Sequence, residues 1–152
     1  MITILIKVVI AAVVAYLIGS IPTGYIVVKS ATGQDIRQVG SGSTGATNVK
    51  RVMGKKWFFI VLLLDALKGA IPVMIANFVP YLHSNSGLTA VVAAACVLLG
   101  HSKSIYLGFT GGKSVASGVG TILALSPTVG LSIAVIWAII TYASKYVSLG
   151  SI

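Results

Sequence analysis

The 152-residue chain is 57% hydrophobic and only 9% charged, with a mean hydropathy of +1.02. This composition leaves too little polar surface to cover a water-soluble globule, so it excludes a soluble domain and predicts an integral membrane protein. Eleven Lys and Arg residues stand against two acidic residues, and the resulting net charge of +9 is more typical of the positive-inside bias of membrane proteins than of nucleic-acid binding.

Long apolar runs are the first elements that the sequence predicts. A hydrocarbon core of about 30 Å requires about 20 helical residues. Residues 2–28 and 57–81 meet that length, and the first run is predicted to be retained rather than removed as a signal peptide. Residues 88–100 are short for a span, so they either extend into their flanks or form a helix buried in protein.

The last apolar run, residues 115–143, is interrupted at Ser126-Pro127 and is either one long helix or a helical hairpin. A hairpin places Lys113 and Lys145 on the same side of the membrane, whereas a single helix separates them. The hairpin collects nine cations on one side, which favours it under the positive-inside rule. These cations are Lys29, Arg37, Lys50, Arg51, Lys55, Lys56, Lys103, Lys113 and Lys145.

We therefore predict an all-α, polytopic bundle of about five crossings, with the N-terminus outside and some helices short or broken. It forms a single domain over residues 1–152. Two cytoplasmic loops, residues 30–56 and 101–114, are rich in glycine, hydroxyl groups and cations. Together they predict a basic pocket lined by backbone N–H groups, the usual chemistry of a phosphate site.

Two nucleotide-binding patterns in these loops do not fit their context. Gly40, Gly42 and Gly45 form G-x-G-x-x-G, with Asp65 at the distance of a dinucleotide fingerprint. However, Asp65 lies inside a predicted span, and no βαβ unit surrounds the glycines. The segment "GFTGGKS" at 108–114 resembles a P-loop but has the wrong glycine spacing. Phosphate binding remains the prediction, without nucleotide hydrolysis and without a metal or cofactor.

Three ionisable residues near the predicted pocket have open roles. Asp65 and Lys68 are spaced i, i+3 within a span, which predicts an ion pair that supports the fold, with direct substrate contact as the alternative. His101 follows a predicted span and is a general base, a phosphate donor or a structural residue. No carboxylate is near His101 in the sequence, so a carboxylate–histidine pair is not expected.

Four segments carry a resemblance that covers essentially the whole chain: "GSIPTGYIVVK", "GSGSTGATNVKR", "DALKG" and "GHSKSIYLGFTGGKSVAS". In this order and spacing they resemble the bacterial membrane glycerol-3-phosphate acyltransferase family called PlsY. The resemblance implies acyl transfer from acyl phosphate to the 1-hydroxyl of glycerol 3-phosphate, giving lysophosphatidic acid and phosphate, the first step of phospholipid synthesis. It also implies a multi-pass protein of the bacterial inner membrane, in contact with lipid, with its active-site loops facing the cytoplasm.

The resemblance also implies roles for individual residues. Catalytic roles fall to Ser41, His101 and Lys113. Substrate and phosphate binding falls to Ser41, Gly42, Gly45, Thr47, Asn48, Arg51, Gly111, Gly112, Lys113, Ser148 and Ser151. Supporting roles fall to Asp65, Lys68 and Gly69. Apart from the resemblance, the residues leave two acceptors for the proton of the attacking hydroxyl, His101 and a substrate phosphate oxygen. The phosphate oxygen is favoured because His101 has no carboxylate near it in the sequence.

Two departures from the family pattern leave alternatives open. Ser43 stands where the family usually has Asn, so one amide contact or turn-forming side chain is replaced. The family usually continues for two more helices, giving seven, so this chain is expected to lack the C-terminal helices. The alternatives to an acyltransferase are a transporter or channel for a phosphorylated solute and an inactive truncated family member.

Overall fold

The computed structural model describes residues 2–79 and 87–145, and within these ranges the chain is helical, as predicted. Three stretches, Ile2–Thr32, Lys55–Phe78 and Pro127–Ser144, are long and apolar enough to cross a membrane. The described helices are α1 (Ile2–Ser20), α2 (Thr23–Thr32), α3 (Ala46–Met53), α4 (Lys55–Phe78), α5 (Leu88–Ser102), α6 (Val115–Leu125) and α7 (Pro127–Ser144), with 3₁₀ turns at Ile36–Gln38 and Ile105–Leu107.

The first predicted span, residues 2–28, is divided by a break between α1 and α2. Pro22 lies at the break and has no N–H to donate to the preceding turn. The carbonyl groups that the break frees are bonded by side chains from elsewhere in the chain. The Ser104 hydroxyl donates to the Ser20 carbonyl, and the Lys68 ammonium donates to the Ile21 carbonyl at 2.7 Å. The break is therefore stabilised by tertiary hydrogen bonds that the local sequence does not reveal.

The interrupted run 115–143 forms the predicted hairpin. Helix α6 ends at Leu125, and α7 begins at Pro127, a residue that is favourable in a first helical turn. Gly130 lies so close to the preceding helix that a Cβ at this position would be 2.5 Å from the Cα of Leu123. These two residues are equally distant from the turn in sequence, so α7 folds back along α6.

The core is assembled by close approach of helix backbones. A Cβ added to Gly19 of α1 would lie 2.3 Å from the carbonyl oxygen of Val97 in α5. At the α4–α6 contact, a Cβ on Gly120 would lie 2.0 Å from the carbonyl oxygen of Ala66. Small residues permit such packing in lipid, where dispersion drives helix association. The short α5 packs against α1, α4 and α6 and contributes much of the buried core.

The predicted loop 30–56 contains a helix that its sequence pattern does not indicate. Helix α3 begins after Gly45 and buries its apolar face, while Lys50 and Arg51 lie on its exposed side. That face joins a second hydrophobic cluster, formed by Val28, Ile36, Ala46, Val49, Phe58 and Val61. The segment is therefore a compact cap on α2 and α4 rather than an extended loop, and it holds its polar groups in defined positions.

Candidate functional site

A cleft of about 340 Å³ opens where the residue 41–51 segment meets α4, the start of α6 and α7. Its polar lining comes from both predicted loops and from α4. The polar and glycine residues are Ser41, Ser43, Gly45, Thr47, Asn48, Arg51, Asp65, His101, Lys113 and Ser114. The apolar residues are Ala46, Phe58, Leu62, Val115, Ala116 and Trp137. The two loops therefore form one shared pocket, as the sequence predicts.

The remaining predicted site residues lie beside or behind the cleft. Gly42 and Gly111 line a neighbouring depression that also includes Asp35 and Arg37. Gly112 packs against the His101 ring. The supporting residues Lys68 and Gly69 are buried on α4. Ser148 and Ser151 are outside the described residues, so their roles remain predictions.

The cations of the cleft lack carboxylate partners from this protein. The sequence holds only two acidic residues, and each is paired with a cation other than Arg51 and Lys113, although Asp65 itself lines the cleft. Asp35 binds Arg37 with an Oδ2–Nη2 distance of 2.6 Å, and Asp65 binds Lys68 with an Oδ1–Nζ distance of 2.9 Å. Arg51 and Lys113 consequently face the cleft with no side-chain carboxylate left to neutralise them, which favours binding of an anion.

The Asp35–Arg37 pair persists throughout the neutral range. Hydrogen bonds from the Arg37 side chain, and then from its backbone N–H, lower the pKa of Asp35 from 3.8 to about 2. A depressed carboxyl pKa means that the pair is fully formed above the ordinary pKa of Asp and is lost only as the pH falls through about 2. Asp35 is therefore not available to pair with Arg51 or Lys113 under physiological conditions.

The start of α3 adds backbone donors to the same wall of the cleft. Gly45 caps the helix in an extended conformation, and Gly45, Ala46 and Thr47 all line the cleft. The first N–H groups of a helix have no intrahelical acceptors and carry the positive end of the helix dipole. This geometry suits a phosphate or carboxylate next to Arg51.

Asn48 organises the segment that carries Ser41. The residue is 1% exposed, and its Oδ1 accepts the backbone N–H of Ser41 at 2.9 Å. Its Nδ2 lies 2.9 Å from the Val39 carbonyl and 3.0 Å from the Ser43 carbonyl, with the Ile36 carbonyl at 3.3 Å. Because these contacts use both amide protons and one lone pair of Oδ1, the geometry favours a positioning role for Asn48. Direct phosphate contact by its side chain stays a prediction.

Asp65 is the centre of a buried polar cluster beneath the cleft. The predicted ion pair with Lys68 is confirmed, and the Thr23 hydroxyl donates to the same Asp65 oxygen. That oxygen also lies 3.8 Å from Nδ1 of His101. The expectation that His101 has no carboxylate nearby is therefore wrong. The two residues are distant in sequence, and only the packing of α5 against α4 brings them together.

His101 is held from two sides. Its Nδ1 lies 2.9 Å from the Ser117 hydroxyl, and its carbonyl accepts the Gly112 N–H at 3.1 Å. A Cβ on Gly111 would be 2.1 Å from the His101 carbonyl oxygen, and one on Gly112 would be 2.2 Å from Nε2. The glycine pair therefore packs directly on His101, which the prediction of a phosphate-binding loop did not anticipate.

The cleft also has an apolar half, which the sequence patterns do not predict. Phe58 and Leu62 lie one turn apart on α4, and Trp137 reaches the cleft because α7 folds back along α6. The i, i+4 spacing of the α4 pair was a usable signal, whereas the position of Trp137 depends on the hairpin. A basic pole beside an apolar wall suits an amphipathic, phosphorylated ligand.

These features define a class of protein: a polytopic helical membrane protein with a cleft that holds two cations, Arg51 and Lys113, without carboxylate partners. Residues 9–152 match the family described as glycerol-3-phosphate acyltransferase. The chain belongs to this family, and the resemblance found in the sequence is confirmed.

Individual relatives agree with this assignment. The glycerol-3-phosphate acyltransferase of Acholeplasma laidlawii is 44% identical over 150 residues, covering 95% of this chain and 64% of the relative. The Nostoc sp. enzyme of the same name is 47% identical over 152 residues, covering 91% of this chain and 67% of the relative. This chain thus spans about two thirds of the length of these curated relatives.

Solved structures share the fold. The crystal structure of PlsY, an integral membrane glycerol 3-phosphate acyltransferase, in its glycerol 3-phosphate form matches with a TM-score of 0.86 at 40% identity. The match covers 95% of this chain and 70% of that chain. The lysophosphatidic acid form matches with a TM-score of 0.83 at 38% identity, over 95% and 69% of the two chains.

Proposed function

We propose that this chain transfers an acyl group from acyl phosphate to the 1-hydroxyl of glycerol 3-phosphate, giving lysophosphatidic acid and inorganic phosphate. The observation that carries the proposal is the presence of two cations, Arg51 and Lys113, in one cleft without a carboxylate partner from the protein. Both substrates are phosphorylated, so both supply the missing anion. Family membership supports the same chemistry.

The reaction requires positioning more than covalent chemistry. The glycerol hydroxyl oxygen attacks the acyl carbonyl carbon and forms the new ester bond, while the bond from that carbon to the phosphate oxygen breaks. The phosphate leaves with the bonding electrons, and the hydroxyl proton passes to a phosphate oxygen. An acyl phosphate is already activated, so holding both substrates in register and stabilising developing charge supply the rate enhancement.

The cleft residues divide naturally between these tasks. Arg51 offers a planar fork for one phosphate, and Lys113 offers a point charge from the opposite loop. The Ser41 hydroxyl and the first N–H groups of α3 add neutral donors to the same pole. The apolar wall of Phe58, Leu62 and Trp137 suits the first carbons of an acyl chain next to the reacting carbonyl.

We further infer the orientation of the protein in the bacterial plasma membrane. The cations cluster at the end of the bundle that carries the cleft, which supports a cytoplasmic site under the positive-inside rule. In a Cys96→Ala background, single cysteines at the exposed positions Gln34 and Thr110 are expected to react with an impermeant thiol reagent from the cytoplasmic side alone. Reaction of these two positions from opposite sides would contradict a shared cytoplasmic cleft.

The proposed activity is tested in lipid vesicles that contain the purified protein. We expect labelled glycerol 3-phosphate and acyl phosphate to give lysophosphatidic acid and phosphate in equal amounts. Accumulation of labelled glycerol 3-phosphate inside the vesicles without lysophosphatidic acid would instead support a transporter. Failure to form product at saturating concentrations of both substrates would contradict catalysis by this chain.

A further inference from the structure

The two ring nitrogens of His101 have different surroundings. The side chain is nearly buried at the end of α5, with 6% of the residue exposed. Nδ1 faces the Ser117 hydroxyl of α6 at 2.9 Å. Nε2 faces the backbone of Gly112, where an added Cβ would come within 2.2 Å. The ring therefore lies between α6 and the glycine segment that leads directly into Lys113.

The hydrogen bonds of Ser117 determine which nitrogen carries the proton. The Ser117 Oγ also lies 2.9 Å from the backbone carbonyl of Asp65, which is only an acceptor. A hydroxyl has a single proton, so Ser117 donates to Asp65 and accepts from Nδ1 of His101. The opposite arrangement would bring two oxygen acceptors into contact at 2.9 Å with no proton between them.

The charges around the ring favour the same tautomer. The Asp65 carboxylate oxygen lies 3.8 Å from Nδ1, which is too long for a hydrogen bond but places negative charge beside that N–H. This oxygen is held by Lys68 at 2.9 Å and by the Thr23 hydroxyl. Because the carboxylate is already engaged, Ser117 provides the direct hydrogen bond to the ring.

We propose that Ser117 is a positioning residue that fixes His101 as the Nδ1–H tautomer, and that His101 in turn seats the Gly111-Gly112 segment so that Lys113 enters the cleft. The unprotonated Nε2 edge contacts the Gly112 backbone, where an Nε2–H would demand more room. The His101 carbonyl fixes the same residue by accepting its N–H at 3.1 Å. Neutral His101 therefore supports Lys113 and does not donate a hydrogen bond to phosphate.

The tautomer is measured without substrate, so it is independent of the proposed acyl transfer on which the role of Lys113 rests. The chain has two histidines, and a His83→Gln variant leaves His101 as the only imidazole. In this variant, ¹⁵N chemical shifts of labelled histidine should report a protonated Nδ1 and an unprotonated Nε2. A protonated Nε2 in the neutral ring would overturn the proposal while leaving the acyltransferase function intact.

The positioning role is measured by kinetics. Ser117→Ala should lower kcat/KM by about tenfold, equivalent to loss of one buried hydrogen bond that supports the transition state. The KM for glycerol 3-phosphate should rise, because Lys113 is displaced. Ser117→Thr keeps the hydroxyl and should recover most of the activity. Ser102→Ala is the matched control, since it removes a hydroxyl next to His101 whose hydrogen bonds, among the described residues, go to carbonyls of its own helix.

The outcomes are distinct. Wild-type kinetics in Ser117→Ala would show that Ser117 does not position the site. The same conclusion would follow if Ser117→Thr were as impaired as Ser117→Ala while both variants remained folded in lipid. If Ser117→Ala fails to fold, the ¹⁵N measurement and the Ser117→Thr kinetics decide the proposal. Complete absence of lysophosphatidic acid with the wild-type chain, together with the expected Nδ1–H tautomer, would contradict the proposed function and not the tautomer.

Discussion

Asn48 offers a sharp test of how the cleft is built, because the hydrogen bonds of its side chain hold the segment that carries Ser41. Asn48→Ala removes the acceptor for the Ser41 N–H and the donors for the Val39 and Ser43 carbonyls. Asn48→Asp keeps the acceptor but turns a carboxylate oxygen towards those two carbonyls. We therefore expect both variants to be impaired, and Asn48→Asp to be the worse.

The size of the effect follows from the hydrogen bonds. An amide NH₂ has two protons, so Asn48 supplies two donor bonds and one acceptor bond to the segment. At about 1 kcal/mol net for each bond, their loss removes about 3 kcal/mol of the free energy that holds the segment in place. If the segment must be ordered again in the transition state, kcat/KM falls by about a hundredfold in Asn48→Ala. Asn48→Asp should fall further because of the added repulsion.

Two measurements separate positioning from direct substrate contact. Amide hydrogen exchange across residues 36–43 in the absence of substrate should accelerate in Asn48→Ala, because Ser41 loses its acceptor. Gln34→Glu adds the same charge at an exposed position near this segment and should keep kcat/KM within about twofold. If Asn48→Asp retains near-normal kcat/KM, or if exchange of residues 36–43 is unchanged while activity falls, the positioning account of Asn48 is refuted.

Two further predictions concern local packing. Ser43→Asn should leave kcat/KM unchanged or higher. The Ser43 hydroxyl accepts the Gly45 N–H at 3.3 Å, and an Asn side chain makes the same type of turn. A tenfold loss in steady-state assays would show a different loop geometry. Gly120→Ala should lower the thermal unfolding temperature in detergent, because its Cβ would lie 2.0 Å from the α4 backbone. Gly118→Ala on the same helix is the control, since its Cβ would meet a leucine methyl at 3.9 Å. Equal stability of the two variants would contradict close α4–α6 packing.

Length, hydropathy and charge were sufficient to predict the helical membrane fold and the α6–α7 hairpin. The hairpin was predictable because Lys113 and Lys145 constrain the sidedness of the run and Pro127 permits a helix start. The break at Pro22 was missed because its freed carbonyls are bonded by Ser104 and Lys68, which are remote in sequence. Such tertiary compensation has no local signature in the sequence.

The site was predictable in its charged residues and not in its supporting contacts. Arg51 and Lys113 stand out because they end glycine-rich segments in an apolar chain. By contrast, the contacts of His101 with Asp65 and Ser117 depend on how α4, α5 and α6 pack together. Helix α3 was mistaken for part of a loop, because an eight-residue helix between glycines is too short for a clear periodic signal.

The central claim is that Arg51 and Lys113, left without protein carboxylates, bind the substrate phosphate. The most direct measurement is calorimetric titration of glycerol 3-phosphate into the wild-type protein and the variants Arg51→Lys, Lys113→Ala and Lys103→Ala. Lys103→Ala is the control, because Lys103 is an exposed cation on the second loop that does not line the cleft. We predict that Arg51→Lys and Lys113→Ala each raise the Kd at least about tenfold, because a charge-assisted bond is lost or reduced to a point charge. Lys103→Ala should match the wild type. Inorganic phosphate should compete with glycerol 3-phosphate for the wild-type site, whereas glycerol should not. Equal affinity in all four proteins would contradict the claim.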